Sequence, residues 1–185
     1  PVQAARRALT IIRETGVRDG YALVYGVDDC SFLEALAGNS ELVIAAVDQD
    51  SAKIDRLRRN LDGKGLYGKR ITLHRGSVST FQAPPYMASL TVVNIPDTSG
   101  IEKIIRSMRP YGGKAWLNAP ASRKGVFSQA IDKAQIHGIE IVSAGRSIIL
   151  TREGPLAGAA QWTHQYGNTA NTVKSDDELV KLPLG

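Results

Sequence analysis

Two residues stand where they can do chemistry together. Gly26 closes the short apolar run 21–25, and Asp48, about 20 residues on, follows a second apolar run, 42–47. A glycine at a strand end lets the chain turn through backbone angles that a side chain forbids. A carboxylate at the end of the next strand can accept hydrogen bonds from a pair of vicinal hydroxyls, as in nucleoside-binding βαβ units. Between them, residues 31–37 carry Phe32, Leu33 and Leu36 at helical spacing. Asp28 and Asp29 are placed to cap that helix, a role that precedes any part as ligands. Strand, glycine turn, helix, strand and terminal acid together predict a cleft for a nucleoside-containing cofactor. Asp48 has a plainer role open to it as well, as a helix cap or a solvated turn residue.

These two residues need a sheet to hold them, and the periodicity elsewhere predicts one. An amphipathic helix is expected over residues 3–15, with Ala5, Leu9 and Ile12 on the apolar face and Gly16 ending it. A helix over 51–61 buries Ile54, Leu57 and Leu61, and strands follow at 70–74 and 89–95. A helix at 101–108 presents Ile101, Ile104, Ile105 and Met108, a strand at 114–118 comes next, and then a helix at 126–137. The chain returns through strands 139–143 and 147–151 around Ala144-Gly145-Arg146, which is a hairpin signal. Alternating strands and helices imply an α/β doubly wound, mostly parallel sheet with helices on both faces. The closing hairpin adds an antiparallel strand, for seven strands in all. From Gly154 the character changes: residues 154–185 are rich in Gly, Asn and Thr and read as an extended arm or linker after a domain at 1–153.

Composition narrows the classes. The chain has 185 residues, 43% of them hydrophobic and 22% charged, with a net charge of +5, as expected of an ordinary globular domain. One cysteine, Cys30, excludes a disulfide framework, and three scattered histidines share no metal-site spacing. No apolar run reaches membrane-spanning length, and no signal peptide opens the chain. It starts at Pro1 without a methionine, as an excised piece of a longer protein would.

The order of elements resembles the class I S-adenosylmethionine-dependent methyltransferase fold, a Rossmann-like fold, across residues 3–153. The run Ala22-Leu23-Val24-Tyr25-Gly26 is similar to that family's first motif, and Asp48 to its ribose-binding acid. Gly76-Ser77-Val78 is similar to the segment beside the adenine, Arg109-Pro110-Tyr111-Gly112-Gly113 to the turn before strand five, and 139–153 to the terminal hairpin. The resemblance implies S-adenosylmethionine as cofactor. It implies binding residues Tyr25, Gly26, Val27 and Asp28 in the loop, Asp48 and Gln49 after strand two, Ser77 and Val78 after strand three, and Asn94 after strand four. The chain departs from the family where Val27, Asp28, Asp29 and Cys30 replace further loop glycines, where Val24 replaces an acid, and where Ser77 replaces an aspartate. The implied activity is methyl transfer to an unidentified acceptor; the alternative is a scaffold or binding domain that kept the fold without the chemistry. A nicotinamide dinucleotide enzyme is disfavoured because the full glycine fingerprint is missing.

A second resemblance lies in the tail. Leu66-Tyr67-Gly68-Lys69, residues 161–166 with Trp162, His164 and Tyr166 alternating, and Ala170-Asn171-Thr172 are similar to planctomycete-type bacterial proteins. In those a methyltransferase-like domain precedes a quinoprotein-type (pyrroloquinoline quinone) β-propeller, which implies a propeller partner in the same chain. That resemblance allows export of such a fusion, whereas activity with S-adenosylmethionine implies the cytoplasm.

Three further groups have a functional and a plain reading. Asn94-Ile95-Pro96-Asp97 partly resembles the signature of amino-group methylases, and equally reads as a proline-ended strand. Asp97 and Tyr111 are candidate general bases, with nothing to choose between them. Lys53, Arg56, Arg58, Arg59, Lys64, Lys69, Arg70 and Arg75 form a basic run with only Tyr67 nearby for stacking. Asp55 and Asp62 interleave it, so it reads as a solvated helix face rather than a nucleic-acid surface.

Overall fold

Five strands of the chain pair in parallel, and the two central ones, Tyr21–Tyr25 and Ala88–Val93, are buried along almost their whole length. The computed structural model describes residues 2–156, 158–160, 177 and 178. It falls into two units, 1–153 and 154–185. In the first, the elements are α1 (Val2–Thr15), β1 (Tyr21–Tyr25), α2 (Cys30–Gly38), β2 (Val43–Asp48), α3 (Ser51–Gly63), β3 (Ile71–Arg75) and β4 (Ala88–Val93). There follow α4 (Ile101–Ser107), β5 (Gly113–Leu117), a 3-10 turn (Ala121–Arg123), α5 (Lys124–Lys133), β6 (Ile139–Ala144) and β7 (Ser147–Arg152). The sheet order is β3-β2-β1-β4-β5-β7-β6. Only β7 opposes the common direction, since it pairs antiparallel with both β5 and β6.

Two cores flank the sheet. One joins Ile11 and Ile12 of α1, Leu33 and Leu36 of α2, and Leu57 and Leu61 of α3 to strand residues such as Val24, Ile44 and Val92. The other joins Ile104 and Ile105 of α4 and Phe127 and Ile131 of α5 to Leu23, Val93 and Leu150. Alternation along each strand sends neighbours to opposite cores. At roughly 1.5–3 kcal/mol per fully buried aliphatic or aromatic side chain, these layers dominate the favourable side of folding.

The structure corrects three sequence expectations. The buried stripe of α1 is Ala8, Ile11, Ile12 and Thr15, while Leu9 is half exposed. Both stripes have helical spacing, and packing on α2 and β5 selects this one. The last helix, α5, stops at Lys133 rather than 137, because Gln135 takes a positive φ of 54°. Finally, no helix joins β3 to β4. Residues 76–87 cross as a loop containing Pro84-Pro85, so the α4 side of β1 and β2 is thinly covered, with Tyr21 53% and Val43 38% exposed.

Of residues 154–185, which the sequence reads as an arm, only 154–156, 158–160, 177 and 178 are described. There Glu178 N–H donates to the Gly158 carbonyl at 2.8 Å. Trp162, His164 and Tyr166 lie outside the described residues.

Candidate functional site

Parallel pairing brings the strand ends level. Tyr25 is in register with Val47 on one side and Val93 on the other, so Gly26, Asp48 and Asn94 all leave the sheet at the same edge. Gly26 turns there with φ +77°, and its N–H donates to the Val47 carbonyl at 2.9 Å. A cleft of about 450 Å³ opens above this edge, with both Gly26 and Asp48 in its lining.

Asp48 is 8% exposed and nearly saturated with hydrogen bonds. Its Oδ2 accepts from Val27 N–H at 2.9 Å and from the Lys53 ammonium at 2.8 Å; its Oδ1 accepts from Asp50 N–H at 3.0 Å. Burial pushes the carboxyl's pKa up, but the bonds from Lys53, Val27 and Asp50 outweigh burial and hold it below the ordinary aspartate value. Lys53 also donates to the Val27 carbonyl at 3.0 Å, so the ammonium ties the acid to the loop. Its position explains this contact. Asp50 caps α3 by accepting from Lys53 N–H at 3.0 Å, and side chains of a first helical turn lean back toward the helix start, here the end of β2.

The adenine-side wall of the resemblance comes from the loop after β3. Gly76 N–H donates to the Asp48 carbonyl at 2.8 Å, and residues 77–80 turn on Ser77 N–H to Thr80 Oγ1 at 2.8 Å. Ser77 and Val78 line the cleft, facing Ser99 and Gly100 at the start of α4. Gly100 is required there. A Cβ on it would meet Val78 Cγ1 at 2.4 Å.

Of the nine residues expected from the sequence, Tyr25, Gly26, Asp48, Gln49, Ser77 and Val78 line the cleft, and Val27, Asp28 and Asn94 do not. Val27 is 1% exposed and packs into the α1–α3 core, leaving only its backbone to hold Lys53 and Asp48. Asp28 turns to solvent and pairs with Arg7 at 3.3 Å. Asp29, not Asp28, caps α2, its Oδ1 accepting from Ser31 N–H at 2.8 Å and Phe32 N–H at 3.3 Å. Asn94 is consumed by structure: its Oδ1 accepts from Arg7, its Nδ2 donates to the Gly26 carbonyl, and its own carbonyl accepts from Asn118 at 3.2 Å. Arg7 reaches this point from α1, with its guanidinium 4.9 Å from the Phe32 ring centroid and 5.7 Å from that of Trp116.

The two candidate bases separate. Asp97 lines the cleft, but its carboxylate is held by Ser99 Oγ at 2.6 Å, Ser99 N–H at 2.9 Å and Gly100 N–H at 3.2 Å. The Ser99 hydroxyl leads the causes that hold its pKa below the ordinary value, which makes it a poor proton acceptor near neutrality. Tyr111 lies before β5, at the opposite end of the sheet, and is 66% exposed. Sequence reasoning placed Lys53 on a solvated face; the signal that would have found it was a cation in the first turn of the helix after Asp48. Three others of the basic run are structural too. Arg58 donates to the Leu73 carbonyl at 2.7 Å, Lys64 pairs with Glu34 at 2.7 Å, and Arg70 donates to the Ser40 carbonyl at 2.8 Å. Among the described residues there is no cluster of His, Cys, Asp or Glu able to hold a metal, and no helix long and apolar enough to cross a membrane.

No protein-family model matches the chain, and no curated protein sequence does either. Solved structures do. A protein from Methanococcus maripaludis described as an S-adenosyl-L-methionine-dependent methyltransferase superposes with TM-score 0.67 at 18% identity, over 82% of this chain and 84% of that one. An S-adenosylmethionine-dependent O-methyltransferase from Thermotoga maritima gives 0.61 at 14% identity, over 84% and 66%. The tRNA (m1A58) methyltransferase TrmI from Aquifex aeolicus gives 0.59 at 13% identity, over 80% and 68%. At these identities the likeness is one of fold. The chain has the class I methyltransferase fold, as the sequence predicts.

Proposed function

We propose that residues 1–153 form an S-adenosylmethionine-binding, methyltransferase-like domain whose ligand lies in the cleft over Gly26 and Asp48. One observation carries this reading: the glycine turn and the carboxylate line a common cleft, and none of the side chains of residues 27–30 lines it. The fold shared with S-adenosylmethionine-dependent enzymes supports the choice of ligand. Bound there, S-adenosylmethionine supplies a methyl group on a sulfonium, so what the protein adds is chiefly positioning.

The residues present fit the nucleoside half. Asp48 Oδ1 has one partner and keeps an open lone pair, and Lys53 uses two of its three N–H donors. A ribose hydroxyl pair therefore meets one acceptor and one donor, rather than the two open carboxylate oxygens of an unpaired acid. Ser77 and Val78 line the cleft, and the reading assigns them to the adenine on the resemblance of Gly76-Ser77-Val78. At the other end, the Gly26 and Val27 carbonyls are already taken by Asn94 and Lys53. Asn94 serves as a tie between α1 and the glycine turn. We read residues 154–185 as the connection toward a propeller neighbour, on the resemblance of residues 66–69, 161–166 and 170–172.

Calorimetric titration of the 185-residue chain with S-adenosylmethionine and S-adenosylhomocysteine tests this. Micromolar binding that Asp48→Ala weakens at least tenfold is expected. Absence of heat at millimolar ligand refutes it and leaves a scaffold that shares only the fold.

A further inference from the structure

A second cavity, of about 360 Å³, shares Tyr25 as a wall with the cleft. It exists because β3 crosses to β4 as a loop: Phe81, Pro84 and Pro85 of that loop face Lys103 and Arg106 of α4 across it. Its size suits a small ligand of about one ring.

The lining has a consistent chemistry. Tyr25 and Phe81 meet edge to face with ring centroids 6.5 Å apart, and the two prolines add rigid apolar surface. The charged residues of the lining are Lys103 and Arg106, both cationic, and no acid joins them. Among the described residues neither forms an ion pair; Lys103 gives one N–H to the Ser79 carbonyl and Arg106 gives none. Tyr25 is 5% exposed, and what remains accessible includes its hydroxyl, which has no hydrogen-bond partner among the described residues and stands open to water or a ligand. Burial pushes its pKa to about 12, so it stays a neutral O–H able to donate or accept at any ordinary pH.

We propose that this cavity is a binding site for a small aromatic anion, its ring between Phe81 and the prolines and its charge on Lys103 and Arg106. The site adjoins the cleft across Tyr25, and the proposal does not depend on what the cleft binds. Aromatic surface, two unpaired cations and a lone hydroxyl select for a planar molecule with one anionic group and a polar substituent, either a carboxylate or a phosphate ester.

Amide chemical-shift titration of the 185-residue chain tests this with four probes: 4-hydroxybenzoate, phenyl phosphate, benzamide and cyclohexanecarboxylate. The first two are expected to shift residues 81–83 and α4 at submillimolar to millimolar concentration, and their ratio identifies the preferred anion. Benzamide, lacking charge, and cyclohexanecarboxylate, lacking an aromatic ring, are expected to bind at least tenfold more weakly. Lys103→Gln with Arg106→Gln, both on exposed positions, is expected to weaken 4-hydroxybenzoate at least tenfold, and Tyr25→Phe several-fold. Equal affinity for all four probes, shifts centred elsewhere, or no loss in the double variant overturns the proposal, as does absence of shifts at 10 mM. An S-adenosylhomocysteine titration of the double variant reads the cleft independently, and unchanged affinity there is expected.

Discussion

Replacing Asp48 by Asn removes a charge and keeps the shape, so its cost can be worked from the three hydrogen bonds the carboxylate accepts. The amide has one oxygen to offer. Turned toward Val27 N–H and Lys53, it leaves the amide NH₂ facing Asp50 N–H; turned the other way, it faces Lys53 and Val27 N–H with donors. The first arrangement is cheaper. It strands one buried backbone donor, at about 1–3 kcal/mol, and converts a charge-assisted bond from Lys53 into an ordinary one, at about 1 kcal/mol. Lys53 is 25% exposed and water can partly solvate it, which keeps the total well under the roughly 3–5 kcal/mol of breaking a fully buried pair. The expected loss is about 2–3 kcal/mol, a fall in Tm of roughly 4–12 °C for a domain of this size. The pH dependence carries the sign. Because the folded Asp48 carboxyl lies below its ordinary value, its stabilisation is complete above the unfolded pKa of about 3.9 and fades as pH falls through the folded pKa. Thermal melts followed by circular dichroism at pH 7 and at pH 3 and below check this, with the gap between wild type and Asp48→Asn widest at pH 7 and shrinking in acid. Equal Tm values at pH 7, or a gap that acid leaves untouched, refute the reasoning.

Three other perturbations separate the roles around the cleft. Lys53→Met keeps the side chain's packing but frees Asp48 Oδ2 of its cation; the Asp48 pKa rises toward the ordinary value, seen as a shift of the carboxyl resonance in an NMR titration, and ribose-containing ligands lose a donor and bind about tenfold more weakly. Gly100→Ala drives a methyl into Val78 Cγ1, so ligand affinity falls at least tenfold by calorimetry, with a stability loss of roughly 1–3 kcal/mol, the usual range for overpacking. Arg7→Met removes the tie from α1 to Asn94 and the cation over Phe32 and Trp116, costing about 1–3 kcal/mol in a denaturant melt and raising hydrogen exchange in α1 before the rest of the sheet.

What could be read from the sequence was what local spacing determines. Strands buried on both faces are unbroken apolar runs, so their number and parallel arrangement were legible, and so was the edge at which Gly26 and Asp48 emerge. The Pro84-Pro85 pair was a visible sign that no helix bridges β3 and β4, yet alternation of elements argued for one. Contacts that close only in three dimensions were not legible: Arg7 meets Asn94 across 87 residues, and nothing in the helical spacing of α1 selects Ala8 over Leu9 for burial. Lys53 lies between these cases, since charge pattern alone put it in solvent and only the lean of a first helical turn brings it back over Asp48. That residue also explains how the loop tolerates so few glycines. The Val27 side chain goes down into the core, Asp28 goes out to Arg7 and Asp29 folds onto its own helix, so replacing glycine at these positions fills none of the cleft. The restriction on what the cleft accepts has moved off the loop and onto α3, where one ammonium holds the acid and the Val27 carbonyl together. Selectivity should therefore respond to changes at residue 53 more than to restoring glycine at 28, which would remove only a solvent-facing carboxylate and its pair with Arg7. Parallel titrations of Lys53→Met and Asp28→Gly with S-adenosylhomocysteine decide this: a larger change in affinity from Asp28→Gly would return control of the cleft to the loop.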